Sequence, residues 1–193
     1  MNCMISFKAH YVQPAVIQKQ NALTGNFEDC KVRMAELEPV STADSIALKK
    51  TAELWGGKKF SFVGDISDDF ENFFKTRNES PNKKFLVLTC QKGDLSRLKP
   101  LDILACAEVT QRTLNKHEIK YLEVSPIYVH LKKDRKLKHI GSAMLDGIKT
   151  LLPNKDIVLD SSCDGINFYL RNGFECLNSI TMIFRGRAKK LVK

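Results

Sequence analysis

The chain has 193 residues, 43% of them hydrophobic, with 31 Lys and Arg against 22 Asp and Glu; this suits one compact globular domain and excludes a disordered or collagen-like chain. The excess of nine positive charges lies in two segments, residues 132–139 with five basic and one acidic side chain and residues 185–193 with five basic and none. The remainder is balanced, which excludes a uniformly basic nucleic-acid coat and leaves two local positive sites to explain.

Residues 7–17 alternate loosely and carry Tyr, Val and Ile, which predicts a first strand or two, with Pro14 favouring an edge position. Pro39, Ser41 and Asp44 open a helix that runs through Ile46, Leu48, Leu54 and Trp55 and stops at Gly56. Ser67 with Asp68, Asp69 and Glu71 opens a second helix, whose Ile66, Phe70, Phe73 and Phe74 recur at helical spacing and require burial. Strands are predicted at 84–90, 101–110 and 120–131, with turns around 93–100 and 112–118. Ile140, Met144, Ile148, Leu151 and Leu152 then mark a helix that Pro153 and Asn154 end. A short strand at 156–160, a short helix at 164–172 closed by Gly173 and a last strand at 176–185 complete the chain. No repeat or linker divides it, so a single mixed α/β domain over residues 1–193 is expected.

No apolar run approaches the roughly 20 residues of a membrane span, and residues 1–11 lack the pattern of a secretory signal. Cys3, Cys30, Cys90, Cys106, Cys163 and Cys176 form no CxxC pair and have no His at zinc-finger spacing. Reduced thiols, no metal and a cytoplasmic location are the expectation, with three disulfides as the alternative.

The stretch that carries chemistry runs from Glu123 to Leu145: a strand, a basic loop, then a helix whose first turn contains Gly141 and Ser142. A helix start offers unpaired N–H groups and partial positive charge, small residues let a ligand approach, and lysines add full charges. That combination makes a pyrophosphate site, although neither GxxxxGK[ST] nor GxGxxG is present. The alternative from these residues is a solvated basic turn ahead of an ordinary amphipathic helix. Further on, residues 167–174 place Phe168 and Tyr169 shortly before Gly173 and Phe174; from composition alone this is a buried aromatic pair before a helix-ending glycine.

Together these two segments resemble the GCN5-related N-acetyltransferase (GNAT) superfamily. Lys136, Leu137, Lys138, His139, Ile140 and Gly141, followed by Ser142, are similar to its acetyl-CoA loop Arg/Gln-x-x-Gly-x-Gly/Ala, with Lys136 in place of Arg or Gln and His139 in place of the first glycine. Residues 168–174 are similar to its FYxxxGF signature. The resemblance implies a central, mostly antiparallel sheet flanked by helices, a cofactor-binding core over about residues 101–184 and an N-terminal part that shapes the acceptor site. It implies acetyl-CoA as co-substrate and a primary amine, on a small molecule or peptide, as acceptor. Tyr169 corresponds to the general acid that protonates the departing thiolate, and Glu123 to a general base, with Glu108 and His130 as competitors. The backbone of Ile127, Tyr128 and Val129 corresponds to the strand edge that pairs with the pantetheine amides. A non-catalytic acetyl-CoA-binding module and toxin-like acetylation of aminoacyl-tRNA are the other readings, a nucleic-acid partner resting only on residues 185–193; a homodimer is left open.

Overall fold

Two alternating segments at the start of the chain pair with each other before any helix intervenes. β1 (His10–Gln20) and β2 (Phe27–Glu36) run antiparallel, joined by a turn in which Asn21 Oδ1 accepts from the amides of Leu23 and Thr24. Gly25 takes φ +72° there, a conformation that a residue without Cβ adopts at no steric cost. β2 was not among the predicted elements, although Val32 and Met34 alternate with Lys31 and Arg33 and turn inward. The computed structural model describes residues 8–56, 61–76, 82–129 and 136–186. The Phe74 side chain, His130 and most of both basic segments, 132–135 and 187–193, lie outside the described residues.

α1 (Thr42–Leu54) starts as predicted, with Ser41 Oγ accepting the Asp44 amide at 3.2 Å. α2 (Phe62–Thr76) starts five residues ahead of Ser67. Its cap comes from elsewhere in the chain: the Val63 amide meets Ser61 Oγ at 3.2 Å and Glu123 Oε2 at 2.8 Å. β3 (Lys83–Thr89), β4 (Ile103–Thr113) and β5 (Lys116–Val124) then form a meander. The strand predicted over 120–131 is therefore displaced. After Val124 the chain turns through a single 3₁₀ turn at Pro126–Tyr128, whose Tyr128 amide bonds the Ser125 carbonyl at 2.9 Å. Proline has no N–H for a ladder, so Ile127, Tyr128 and Val129 do not form the strand edge expected of them.

β6 (Leu137–Lys138), α3 (Ile140–Leu151) and β7 (Asp156–Asp160) follow; α4 (Ile166–Arg171) comes after a 3₁₀ turn at Cys163–Gly165. The predicted last strand is split into β8 (Glu175–Cys176) and β9 (Thr181–Phe184) by Asn178, whose Oδ1 accepts from the amides of Ile180 and Thr181. Among the described residues the strands form one nine-stranded sheet in the order β6-β1-β2-β3-β4-β5-β7-β9-β8. Only β5 and β7 pair in parallel. β6 reaches β1 only at Gln18 and Lys19, which leaves Pro14 on an open outer edge as expected.

Each face of the sheet carries its own core. On one, Met144, Leu145 and Ile148 of α3 pack on Met34, Leu88 and Leu104. The approach is so close that a Cβ on Gly147 would stand 2.5 Å from Met34 Sδ. On the other face, Leu48, Val63, Ile66 and Phe70 of α1 and α2 cover Ala35, Phe85 and Val87, with Phe70 edge-on to Phe85 at 5.0 Å. Each such fully buried side chain contributes about 1.5–3 kcal/mol. The five described cysteines are free thiols, and among the described residues no helix is long and apolar enough to cross a membrane.

Asp44 is fully buried at the start of α1, accepting from the Glu38 amide at 3.0 Å. Burial pushes its carboxyl up to about 6, against hydrogen bonds that pull it down. The folded protein thus holds a proton that the unfolded chain releases near pH 4, so stability falls as pH rises from about 4 to about 6, by an amount on the order of 3 kcal/mol. Asp44→Asn should flatten this slope in urea titrations taken across that window; an unchanged slope would assign the proton elsewhere.

Candidate active site

β5 and β7 pair over only three residues, Lys116–Glu118 against Asp156–Val158, and then part. A cleft of 830 Å³ fills the gap. Its walls are β5 from Ile119 to Leu122 with Val124, the end of β7 with Ser161 and Ser162, the first turn of α3, and Phe168 and Tyr169 of α4. Past Glu118 the edge of β5 that faces the cleft has no strand partner among the described residues, so it presents main-chain donors and acceptors to the cleft. This edge lies about five residues upstream of the Ile127–Val129 stretch expected from the sequence. Tyr128 and Val129 still line the cleft by side chain. The signal that could have placed the edge was Pro126, which marks where a ladder must already have ended.

The α3 N-terminus opens into the cleft through His139, Ile140, Gly141 and Ser142. His139 is the N-cap residue, at φ +62° and ψ +18°, and among the described residues no side chain caps the helix. The first amide bonded within this turn is that of Ala143, to the His139 carbonyl at 2.9 Å, so those of Ile140, Gly141 and Ser142 precede the intrahelical ladder. The turn that the resemblance gives to a glycine is made here by a histidine in the left-handed conformation. Gly141 is fixed by contact: a Cβ there would stand 2.9 Å from Phe168 Cζ. Leu137 is buried in the α3-side core, and Lys138 holds its ammonium 3.4 Å over the Phe27 ring. Lys136 is exposed and off the cleft, its carbonyl accepting from the Gln20 amide at 2.8 Å.

Tyr169 packs edge-on against Phe168 at 5.0 Å and Phe174 at 5.6 Å. Burial pushes its phenol upward, so it keeps its proton at neutral pH. Gly173 at φ +81° ends the helix, and Phe174 anchors it in the core. Glu123 stands apart from these groups, its Oε2 accepting from Ser61 Oγ and the Val63 amide, both at 2.8 Å, at the start of α2. Burial raises its carboxyl while those bonds lower it, with a net rise. Glu108 is fully buried, 2.9 Å from Lys83 Nζ.

A feature not predicted from sequence is a bulge in β5. Glu108 pairs with Tyr121 and Val109 with Ile119, so Lys120 is the extra residue. Both Lys120 and Tyr121 reach α2: Lys120 bonds Asp69, and Tyr121 stacks on Phe62 at 5.7 Å.

No protein-family model matches the chain, and no curated protein sequence matches it. Solved structures do. A protein assigned to the GNAT family of acetyltransferases from Desulfovibrio desulfuricans superposes with a TM-score of 0.55 at 13% identity, over 81% of this chain and 99% of its own. The chain has the GNAT fold. AtaTR bound with AcCoA matches the same fold at TM-score 0.52 and 11% identity, over 80% of this chain and 93% of its own. A chimera of spermidine N-acetyltransferase SpeG from Vibrio cholerae and hSSAT matches at 0.51 and 12%, over 80% and 95%.

The left-handed His139 gives the loop before α3 a measurable cost. His139→Gly should raise stability by about 0.5–1 kcal/mol, because relief of about 1–2 kcal/mol of backbone strain exceeds the extra chain entropy that glycine loses. Urea denaturation of the two proteins checks this; a loss of stability would mean that the imidazole contributes more than its backbone costs.

Proposed function

We propose that this protein transfers the acetyl group of acetyl-CoA to a primary amine by direct attack. The observation that carries the reading is the convergence, in one cleft, of an open strand edge, an uncapped helix start and a protonated tyrosine. The amides of Ile140, Gly141 and Ser142 receive the pyrophosphate, and Lys138, which also lines the cleft, adds positive charge nearby. The β5 edge at Leu122 and Val124 takes the role first given to Ile127, Tyr128 and Val129, pairing with the pantetheine amides. That AtaTR, with the same fold, is bound with AcCoA supports this choice of co-substrate.

The amine nitrogen attacks the thioester carbonyl carbon, the C–S bond of the tetrahedral adduct breaks, and the Tyr169 phenol gives its proton to the sulfur. The proton lost by the amine passes to water. The left-handed turn at His139 supports this reading over that of a non-catalytic module, because the loop geometry that a glycine would permit is retained. Tyr169→Phe should lower kcat about 100-fold, the lower range for a lost general acid, with acetyl-CoA affinity changed less than threefold. Thiol release and calorimetric titration read the two quantities, and an undiminished kcat removes Tyr169 from the mechanism.

Glu123 acts in this reading as a positioning residue rather than as the base, because its carboxylate is engaged by Ser61 and Val63. Glu123→Gln should raise the acceptor KM several-fold while the acidic limb of the kcat/KM profile persists. Loss of that limb would restore Glu123 as the base.

A further inference from the structure

The α2 side of the cleft wall is aromatic. Phe62 is the first residue of α2 and is 57% exposed, a position where folding alone does not call for a phenylalanine. Its ring lies within 23° of parallel to Tyr121, and both rings line the cleft. The pair is held in place from both ends. Glu123 accepts from the Ser61 hydroxyl and the Val63 amide on either side of Phe62, and the bulge at Lys120 brings Tyr121 toward α2.

Four of the charges beside this pair engage one another. Asp69 meets Lys83 at 3.3 Å and also Lys120; Glu108 meets Lys83 at 2.9 Å. Lys120 itself lines the cleft, with its ammonium 4.9 Å from the centre of the Tyr121 ring. Asp160, the carboxylate that lines the cleft among the described residues, belongs to β7 and accepts from Thr181 Oγ1 at 2.8 Å. The Lys120 ammonium on this wall repels a second ammonium brought beside it. A flat apolar group instead gains contact with the exposed ring face while its amino group reaches past the stack toward the parted strands.

We infer that the acceptor is a small arylalkylamine, one amino group a few atoms from an aromatic ring, with Phe62 and Tyr121 as the platform that selects it. The inference rests on the transferase reading above and names the substrate class of the same cleft.

The test is calorimetric titration of phenethylamine, hexylamine and spermidine into the full chain, in the wild type, Phe62→Ala and Phe62→Trp, with thiol release measured in parallel. Phenethylamine should bind at least tenfold more tightly than either other amine. Phe62→Ala should erase that preference and Phe62→Trp should retain it, a pattern that loss of folding does not produce. Equal affinity for phenethylamine and hexylamine, tighter binding of spermidine, or a preference indifferent to Phe62→Ala overturns the inference. Acetyl-CoA titrated separately reads the underlying proposal. If it fails to bind while the phenethylamine preference holds, the transferase reading falls and the aromatic-amine site stands; if it binds and the preference is absent, the acceptor inference alone falls.

Discussion

The parting of β5 from β7 is the constraint on which the rest of the molecule depends. Three residue pairs hold the two strands together at Lys116–Glu118, and beyond them the sheet opens. A strand edge inside a protein leaves N–H and C=O groups that must find partners in water or ligand, so the backbone of the opening offers donors and acceptors before any side chain is considered. It also connects the two faces of the sheet. From one face come the α3 N-terminus and Tyr169; from the other come Phe62, Lys120 and Tyr121. A co-substrate and an acceptor can therefore approach the same point from opposite sides.

Keeping that opening in shape falls to long-range polar contacts rather than to the cores. Glu123 ties β5 to the first turn of α2. Asp69, Lys83, Glu108 and Lys120 link the same helix to β3, β4 and β5. Burial raises the Glu108 carboxyl, whereas the two lysines hold Asp69 below its ordinary range despite its own burial. Within this network only Glu108 is fully buried, so removing Lys83 would leave a buried carboxylate without its nearest cation. The arrangement thus gives orientation more than net stability, which suits a wall that has to stand at a fixed distance from the open strand.

Local chemistry made much of the fold legible. Ser41 with Asp44, the apolar spacing from Ile140 to Leu152, and the apolar run at 156–160 each became the element predicted, because caps and periodicity act within a few residues. The displaced elements share one cause. α2 begins early because Glu123, 60 residues away, caps it. β5 shifts toward the N-terminus because its partners on β4 and β7 set its register, and it ends before Pro126. β2 was missed although its alternation was present, because its apolar positions, Cys30, Val32 and Met34, are interleaved with charges and become a strand only beside β1.

For the site, the sequence by itself determined which groups exist: a basic loop running into a small-residue helix start, and a tyrosine ahead of Gly173. Those identities are local, and the resemblance to the GNAT superfamily followed from them. Tertiary structure alone decided that β5 parts from β7 after Glu118, that Lys120 and Tyr121 both reach α2, and that Glu123 braces a helix. Register, bulges and caps supplied across a sheet depend on partners distant in the chain, and no spacing within a single segment encodes them.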